Sequence, residues 1–387
     1  MRNHASVHRA LLSTAAIGAA VLALAACGSS DDDSDTAAST GAATAASTAA
    51  ADSGGGGEAQ KVAVLLPDTQ SSVRWETADR PLLQAAFDAA GVPVEIHNAQ
   101  GDKSAQQQQA EQAITNGAKI LLLTNLDSGS GAAIQNLAAA KGVKVIDYDR
   151  LTLNGKADYY VSFDNVKVGE LQGQGLVDCL EAAGVEKPNV AVLNGSPDDN
   201  NATLFAQGYN SVIDPKFESG EWVEVADQSV PDWDNQQALT IYEQMLQKAD
   251  NKIDGVLAAN DGLANSVVSA QKARKLDPIP VTGQDATLQG LQNILVGDQC
   301  MTVYKAIKAE AEAAAQLAIA LSKGEEPPAG LVNGESDDGQ RQVPSVLLTP
   351  VAVTTDNIAD TVLADDFVKR DELCAGKFAK ACEEAGI

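Results

Sequence analysis

The sequence predicts an α/β protein with two lobes, each a doubly wound parallel sheet. From Lys61 onward, short β-branched runs that are apolar throughout alternate with longer amphipathic runs. Strands of this kind, separated by helices, are typical of parallel sheets covered on both faces. The strands divide into two series around residues 162–165, and residues 61–387 are long enough for two cores.

The first series predicts five strands with three helices between them. The strands are Val62–Leu66, Val94–Ile96, Ile120–Leu123, Val143–Ile146 and Tyr159–Val161. The helices are Pro81–Ala90, Ala105–Asn116 and Ala132–Lys141. Alternation of apolar strands with amphipathic helices predicts the first doubly wound sheet.

The second series predicts six strands and the remaining long helices. The strands are Val190–Leu193, Val223–Val225, Gly255–Ala258, Ile279–Thr282, Met301–Val303 and Val346–Leu348. The helical stretches include Val166–Ala183, Gln236–Lys248 and Ile307–Lys323. No Pro/Gly linker separates the two series, so strand-like hinges are expected between the lobes. Asp164 or Asn165 is expected to cap the helix that follows.

The N-terminal segment, residues 1–26, predicts a lipoprotein signal peptide. It has a basic start, then an uncharged run of apolar and small residues that ends directly before Cys27. Cys27 is therefore expected to carry lipid and to anchor the chain at the outer face of the cell membrane. An uncleaved transmembrane helix is the alternative, but the run is shorter than the ~20 residues that span a bilayer. Residues 27–60 lack apolar periodicity and predict a flexible linker.

The charge of the chain is strongly negative. The net charge is −26, and removal of residues 1–26 takes away two arginines and no acid, which leaves −28. Such a surface repels nucleic acid and anionic lipid head groups. It indicates nothing about the ligand, because acidic surfaces are common among secreted proteins.

The cysteines after position 27 are even in number, which predicts two disulfides in an exported chain. They are Cys179, Cys300, Cys374 and Cys382. Three pairings are possible, and the local pair Cys374–Cys382 together with Cys179–Cys300 is favoured. A straight helix would hold the local pair about 12 Å apart, beyond the ~7 Å limit, so a bend is needed there. Free buried thiols are the alternative.

Polar and aromatic side chains follow many of the predicted strands. Ligands of open parallel sheets bind beyond the carboxyl ends of the strands. The candidates at those ends are Arg74, Trp75, Asp149, Arg150, Asn201, Trp233, Asn260, Asp285 and Lys305. Carboxylates, amides and cations match the donors and acceptors of sugar hydroxyls, and an indole covers the apolar face of the ring. Singly these residue types are ordinary in turns and caps; together they predict a site for a small neutral sugar.

The sequence has few of the residues and motifs that catalytic sites require. His97 is the only histidine after residue 26, which excludes a His-based triad or a multi-His metal site. Nucleophile-elbow and Walker motifs are absent. A glycosidase-like carboxylate pair stays open, with Asp149 and Asp285 as candidates, although Arg150 and Lys305 are expected to hold both ionised. We expect no catalytic residue, no metal and no cofactor.

Several motifs at the strand ends carry a family resemblance. They are Arg74-Trp75, Tyr148-Asp149-Arg150, Tyr160-Val161-Ser162-Phe163-Asp164-Asn165, Asp199-Asn200-Asn201, Asn260-Asp261, Gly283-Gln284-Asp285 and Met301-Thr302-Val303-Tyr304-Lys305. From about Lys61 to Phe367 the chain resembles the D-xylose-binding proteins of bacterial ABC transporters, within the type I periplasmic binding proteins. The resemblance implies that the nine candidates bind the sugar, with Trp233 stacked on it and Trp75 stacking or lining the cleft.

The resemblance also implies an architecture and partners. Three hinge crossovers would lie near Ser162–Asp164, Tyr304–Lys305 and Pro344–Leu347. The first lobe would comprise 61–162 plus 305–343, the second 163–304 plus 344–373, and residues 374–387 a cysteine-containing tail. A monomer that delivers D-xylose to ABC permease subunits is expected.

The sequence is also compatible with other functions. The ligand could be another aldose, such as arabinose, ribose, glucose or galactose, or the chain could present a sugar to a signalling receptor. A sugar-modifying enzyme is a further alternative. A transcription factor of the same fold is disfavoured by the export signal.

Overall fold

Residues 59–387 are described by a computed structural model. The predicted signal peptide 1–26, the lipidation site Cys27 and the linker as far as residue 58 lie outside the described residues. Within the described part, no helix is long and apolar enough to cross a membrane.

The described strands and helices alternate along most of the chain. The strands are β1 (Val62–Leu66), β2 (Val94–Asn98), β3 (Ile120–Leu123), β4 (Lys144–Tyr148), β5 (Tyr159–Phe163), β6 (Asn189–Asn194), β7 (Val223–Ser229), β8 (Gly255–Ala258), β9 (Thr302–Tyr304), β10 (Gly334–Asp337), β11 (Gln342–Leu348) and β12 (Val351–Val353). The helices are α1 (Arg80–Ala90), α2 (Lys103–Thr115), α3 (Ser128–Ala140), α4 (Asn165–Ala182), α5 (Asn200–Glu218), α6 (Asn235–Lys248), α7 (Asp261–Arg274), α8 (Leu288–Leu295), α9 (Ile307–Ser322), α10 (Arg370–Leu373) and α11 (Ala379–Glu384). A π-helical turn, Trp75–Asp79, precedes α1.

The first lobe contains a seven-stranded sheet in the order β10-β11-β5-β4-β3-β1-β2, parallel except for β10. Strand β1 shows why the sequence of a strand in a parallel sheet is apolar throughout. Val62, Val64 and Leu66 pack on the face covered by α1 and α9, and Ala63 and Leu65 pack on the face of α2 and α3. Both faces are buried, and each buried Val or Leu side chain contributes about 1.5–3 kcal/mol.

The second lobe contains β7-β6-β8 as a parallel sheet and β9 paired antiparallel with β12. Residues 280–285 lie between these two sheets and join them through single parallel bridges, at Val281 to β8 and at Gln284 to β9. The predicted strand Ile279–Thr282 is therefore wrong as a full strand. Pro278 precedes the predicted strand and Pro280 lies within it, and neither has an N–H donor, so a continuous ladder does not form. The predicted α/β class with two mainly parallel lobes is confirmed.

Three glycines let α4 and α5 approach closely in the second lobe. A Cβ at Gly169 would lie 2.0 Å from the carbonyl oxygen of Phe205, and one at Gly208 would lie 2.1 Å from that of Val166. Gly173 faces the backbone of α5 in the same way. This contact fixes α5, whose first turn carries part of the site described below.

The chain passes between the lobes three times. It leaves β5 at Phe163, and the side chain of Asp164 caps α4 by accepting a hydrogen bond from the Lys167 N–H at 3.0 Å. It returns between β9 and α9, at residues 305–306. The third passage follows β11, which pairs with β5 as far as Leu348. We correct the predicted crossover at Pro344–Leu347 accordingly, because those residues are part of the first sheet. The predicted strand Val346–Leu348 therefore belongs to the first lobe, and the last segment of the second lobe begins after Leu348 and not at residue 344.

Two disulfides lie in the second lobe and its C-terminal extension. Of the three possible pairings, the structure has Cys179–Cys300 and Cys374–Cys382, with Cα atoms 6.4 Å and 5.8 Å apart. Gly376, at φ 59°, bends the chain between the local pair. Cys382 is buried with Leu373 against α8 and β9, so the C-terminal residues pack onto the second lobe.

Candidate functional site

A cavity between the lobes brings together all nine residues singled out from the sequence. These are Arg74, Trp75, Asp149, Arg150, Asn201, Trp233, Asn260, Asp285 and Lys305. The space free of protein atoms is about 320 Å³, open solvent at the mouth of the cavity included. We call it the inner cavity. The lobes meet directly at its edge, since Asn201 Nδ2 donates to Asp149 Oδ1 at 3.1 Å.

Backbone strain accompanies three of these residues. Asp149, Trp233 and Asp285 have φ angles of 65°, 54° and 96°, in the left-handed region that non-glycine residues rarely adopt. Each stands where the chain turns sharply beyond an extended segment. Strained residues of this kind concentrate at ligand sites, where the surrounding fold holds side chains in place before the ligand arrives.

Arg74 is the centre of the charge network in the first lobe. Its Nε and Nη2 donate to both oxygens of Asp79 at 2.9 and 2.7 Å, and its Nη1 donates to Asp149 Oδ2 at 2.8 Å. Glu310 Oε2 accepts from Nη2 at 2.5 Å. Bidentate contact with Asp79 fixes the plane of the guanidinium, so Arg74 is held rigidly toward the cavity.

Asp149 is held as an ionised acceptor. Burial opposes its ionisation, but Lys305, Arg74 and Arg150 outweigh that effect and lower its pKa to about 2. Lys305 Nζ lies 3.5 Å from Asp149 Oδ2 and 3.9 Å from Asp285 Oδ1. An ionised carboxylate flanked by cations accepts hydroxyl hydrogen bonds at any physiological pH and does not act as a proton donor. A general acid of the glycosidase kind is therefore not present at Asp149. At Asp285, by contrast, burial outweighs the nearby Lys305 and Arg74 and raises the pKa, so the expectation that the cations hold both carboxylates ionised is supported for Asp149 and not for Asp285.

Glu310 differs from Asp149 in its protonation. It is fully buried on α9, and burial raises its pKa to about 8. The nearby carboxylates of Asp149 and Asp79 add to this effect, and Arg74 and Lys305 offset it only in part. Its Oε1 has no hydrogen-bond partner among residues 59–387. A neutral carboxyl at position 310 adds no further negative charge beside the cavity at neutral pH.

The raised pKa of Glu310 predicts a pH-dependent contribution to stability. A raised folded pKa means that the folded state holds the proton more tightly, so this contribution is complete below the unfolded pKa near 4.5 and is lost as pH rises through about 8. In Glu310→Gln, the amide has nearly the shape of the protonated carboxyl but does not titrate. The free energy of unfolding of wild type relative to this variant should fall between pH 5 and 9, by at most about 1.4 kcal/mol per unit. Urea unfolding of both proteins across this range measures it, and parallel pH curves would contradict it.

Aromatic side chains form the remaining walls. The Trp233 ring meets Phe205 edge to face at 6.5 Å between centroids, and its Nε1 donates to Asp199 Oδ2 at 3.1 Å. Trp75 is buried, and the Arg74 guanidinium lies 4.5 Å from its ring centroid. Trp75 therefore supports Arg74 through a cation–π contact, whereas Trp233 and Phe205 supply apolar surface.

Gly195 makes room for the Trp233 ring. A Cβ at Gly195 would lie 2.0 Å from Cη2 of Trp233, a distance that real atoms do not tolerate. We expect Gly195→Ala to displace the indole and to weaken ligand binding by about tenfold or more, the loss of roughly 1.4 kcal/mol of aromatic contact. Calorimetric titration measures it. Gly334→Ala, on the edge strand β10, serves as the control for glycine replacement away from the cavity, because a Cβ there would come no closer than 3.1 Å, to Cδ1 of Leu347. Equal affinity of Gly195→Ala and wild type would contradict the expectation.

Some residues at the site were not among the predicted nine. Ser71, Ser72, Asp199, Phe205 and Gln284 also line the cavity. Phe205 follows Asn201 by four residues on α5, the spacing that places side chains on one helix face. If Asp199 had been recognised as the N-cap of α5, the helix start would have placed Phe205 on the same face as Asn201 and so predicted it as a cavity residue.

Two further residues lie behind the cavity and left no sequence signal. Asp79 and Glu310 are buried inside helical segments that read as ordinary amphipathic turns. Conversely, the predicted ligand residue Asn260 has a structural task as well, because its Oδ1 caps α7 by accepting from the Leu263 N–H at 2.9 Å.

The donor set fits a neutral polyhydroxylated ligand. Arg74, Arg150 and Lys305 each face a carboxylate within 4 Å, so the cavity has no surplus cation for a phosphate or carboxylate ligand. Within residues 59–387, no cluster of three or more His, Cys, Asp or Glu side chains could hold a metal ion.

Comparison with known proteins identifies the family. Residues 62–326 match the model of the periplasmic binding protein domain. The chain is 38% identical over 314 residues to the D-xylose-binding periplasmic protein of Escherichia coli, covering 81% of this chain and 92% of that protein. It is 34% identical to a multiple sugar-binding periplasmic receptor of Rhizobium radiobacter, with the same two coverages.

A solved structure agrees with this assignment. A carbohydrate-transporter solute-binding protein from Chloroflexus aurantiacus, in complex with D-glucose, superposes with a TM-score of 0.74 at 30% identity, covering 81% of this chain and 98% of that one. The resemblance noted in the motifs is thereby confirmed. The chain belongs to the periplasmic binding protein family, in the group that includes the D-xylose-binding protein of Escherichia coli.

Proposed function

We propose that this chain captures D-xylose between its two lobes and delivers it to an ABC importer. The observation that carries the proposal is the inner cavity, in which fixed cations, carboxylates and three amides converge beside Trp233. The relative from Escherichia coli is named for D-xylose binding, which supports the choice of sugar.

The charge arrangement favours a neutral sugar over an ionic one. Each cation is already matched by a carboxylate, and each carboxylate keeps lone pairs that can accept from hydroxyls. A hydrogen bond to a charged partner contributes about 1.5–3 kcal/mol. An anionic ligand would add a charge to a cavity without a free counter-ion, so sugar phosphates and uronates are disfavoured.

Closure of the lobes is the proposed binding step. Arg150 from the first lobe pairs with Asp199 from the second, with 3.1 Å between Nε and Oδ2, and Asn201 contacts Asp149 across the same boundary. These contacts require the lobes to be together. Three chain crossovers restrict their relative motion to hinge bending, and the closed form is the one proposed to dock on the permease.

Another aldose is the second candidate ligand. The Chloroflexus structure contains D-glucose, and the inner cavity has no feature that by itself excludes a hexose. Calorimetric titration of the mature protein with xylose, arabinose, ribose, glucose and galactose separates the candidates. We expect xylose to bind most tightly, and tighter binding of any other sugar would overturn that choice. Recovery of xylose unchanged after long incubation would establish binding without catalysis.

The membrane anchor belongs to the same proposal. Cys27 is proposed to carry lipid, so that the monomeric binding domain works at the outer face of the membrane on the linker 27–60. Wild-type protein should partition into detergent on phase separation, and a Cys27→Ser variant should remain in the aqueous phase. Aqueous partitioning of both proteins would contradict the anchor without affecting the sugar proposal.

A further inference from the structure

A second, larger polar cavity adjoins the inner cavity. This outer chamber has about 810 Å³ free of protein atoms, open solvent at its mouth included. Its walls include carboxylates, amides and an ammonium group, contributed by Asp68, Gln70, Gln100, Lys103 and Asp232. These are the donor and acceptor types that sugar hydroxyls require.

Four residues line both cavities and separate them; we call them the partition. They are Ser71, Arg150, Asp199 and Trp233. The Arg150–Asp199 ion pair spans the boundary at 3.1 Å with both side chains less than 10% exposed. Arg150 Nη2 also donates to Ser71 Oγ at 3.2 Å. The partition is thus tied together by hydrogen bonds and charge, not by backbone.

Asp199 is the residue on which the partition depends. Its Oδ2 faces Arg150 Nε and accepts from Trp233 Nε1, each at 3.1 Å, and its Oδ1 accepts from the Asn201 N–H at 2.9 Å as the N-cap of α5. A shorter side chain at position 199 can keep the cap but cannot reach both Arg150 and Trp233. Shortening it therefore opens a passage while leaving the helix start intact.

We propose that the outer chamber is a second sugar subsite and that Asp199, through the partition, limits the ligand to one monosaccharide. The inference rests on the proposed function, since it assumes a sugar in the inner cavity. Trp233 takes part in both cavities, so its indole is available to a sugar unit on either side. With the partition open, a disaccharide of pentoses spans both cavities, one unit in each.

The test compares xylose and xylobiose by calorimetric titration. Wild type should bind xylobiose at least about a hundredfold more weakly than xylose. Asp199→Ser, which keeps a capping oxygen, should gain about tenfold or more in xylobiose affinity. Asp214→Ser is the control, because Asp214 is exposed on the same helix, α5, and lines neither cavity; it should behave as wild type.

A double variant assigns the gain to the outer chamber. Thr69 lines that chamber alone, so Asp199→Ser combined with Thr69→Trp should lose the xylobiose gain and keep the xylose affinity of Asp199→Ser. Near-UV circular dichroism verifies folding, and Asp199→Thr replaces Asp199→Ser if the latter does not fold. A folded variant without a xylobiose gain, a gain that survives Thr69→Trp, or equal binding of both sugars by wild type would overturn the inference. Absence of xylose binding by wild type would instead overturn the proposed function.

Discussion

Replacing Asp149 with asparagine is expected to lower the affinity for xylose by about a hundredfold or more. Asp149 is the carboxylate that Arg74 and Lys305 share, and its low pKa keeps it ionised. The amide removes the charge that orients both cations, and it replaces an acceptor oxygen with a donor. Loss of one or two charged hydrogen bonds corresponds to roughly 3 kcal/mol.

The choice of asparagine separates binding from folding. Asp149 has a φ of 65°, which asparagine tolerates better than alanine does, so the backbone need not shift. Arg74 also keeps its bidentate contact with Asp79 and its contact with Glu310. The variant should therefore fold, as circular dichroism and a cooperative melting transition would verify.

The matched control is Asp127→Asn, the same replacement after β3, which is the neighbour of β4 in the sheet. Asp127 follows β3, caps α3 by accepting from the Ser130 N–H, and does not line the inner cavity. Asparagine is an equally good cap, so Asp127→Asn should bind xylose like wild type. Calorimetric titration of both variants decides the matter. Unchanged affinity in Asp149→Asn would remove Asp149 from the site, and equal losses in both variants would point to a general effect of charge.

Sequence reasoning located much of the first lobe because its strands are buried on both faces. The predicted bounds of β1 and β3 agree with the structure residue for residue, since a short unbroken apolar run is typical of a strand buried on both faces. Strand β10 (Gly334–Asp337) escaped because it is an antiparallel edge strand with two acidic residues and no apolar run. Its pairing is set by β11, which no local pattern reveals.

Sequence reasoning could identify only those site residues that follow a predicted strand. Asp149 and Asp285 follow extended segments, and the carboxyl ends of parallel strands converge on one edge. Glu310 lies 236 residues from Arg74 in the chain, and their contact exists only in the folded protein. The protonation of Glu310 follows from that contact and from burial, so it too required the structure.

The same distinction holds for the partition between the two cavities. Asp199 reads in the sequence as a loop residue before a helix, and it is indeed the N-cap of α5. Its second oxygen, however, meets Arg150 from the other lobe. A cap residue therefore gains a role in ligand selection only when the two lobes are brought together.

Removal of the Cys179–Cys300 disulfide is expected to have the largest effect on stability. The bond joins α4 to the segment before β9 and closes a loop of 121 residues. Constraint of an unfolded loop of this length stabilises the folded state by about 5 kcal/mol in the chain-entropy description. We expect a Cys179→Ala/Cys300→Ala double variant to lose most of that amount, measured by urea unfolding without reductant.

The second disulfide supplies the internal comparison. Cys374–Cys382 closes a loop of only eight residues, for which the same description gives about 2.5 kcal/mol. A Cys374→Ala/Cys382→Ala variant should therefore lose roughly half as much as the Cys179/Cys300 variant, even though Cys382 is the more buried side chain. If packing of the cysteine side chains dominated over loop closure, removal of Cys374–Cys382 would lower the stability more than removal of Cys179–Cys300. Equal losses of stability in the two double variants would contradict loop closure as the source of this stability. A thiol assay on the unfolded protein, with Cys27 replaced so that only the other four cysteines are counted, would contradict the two pairings if it detected reactive thiols.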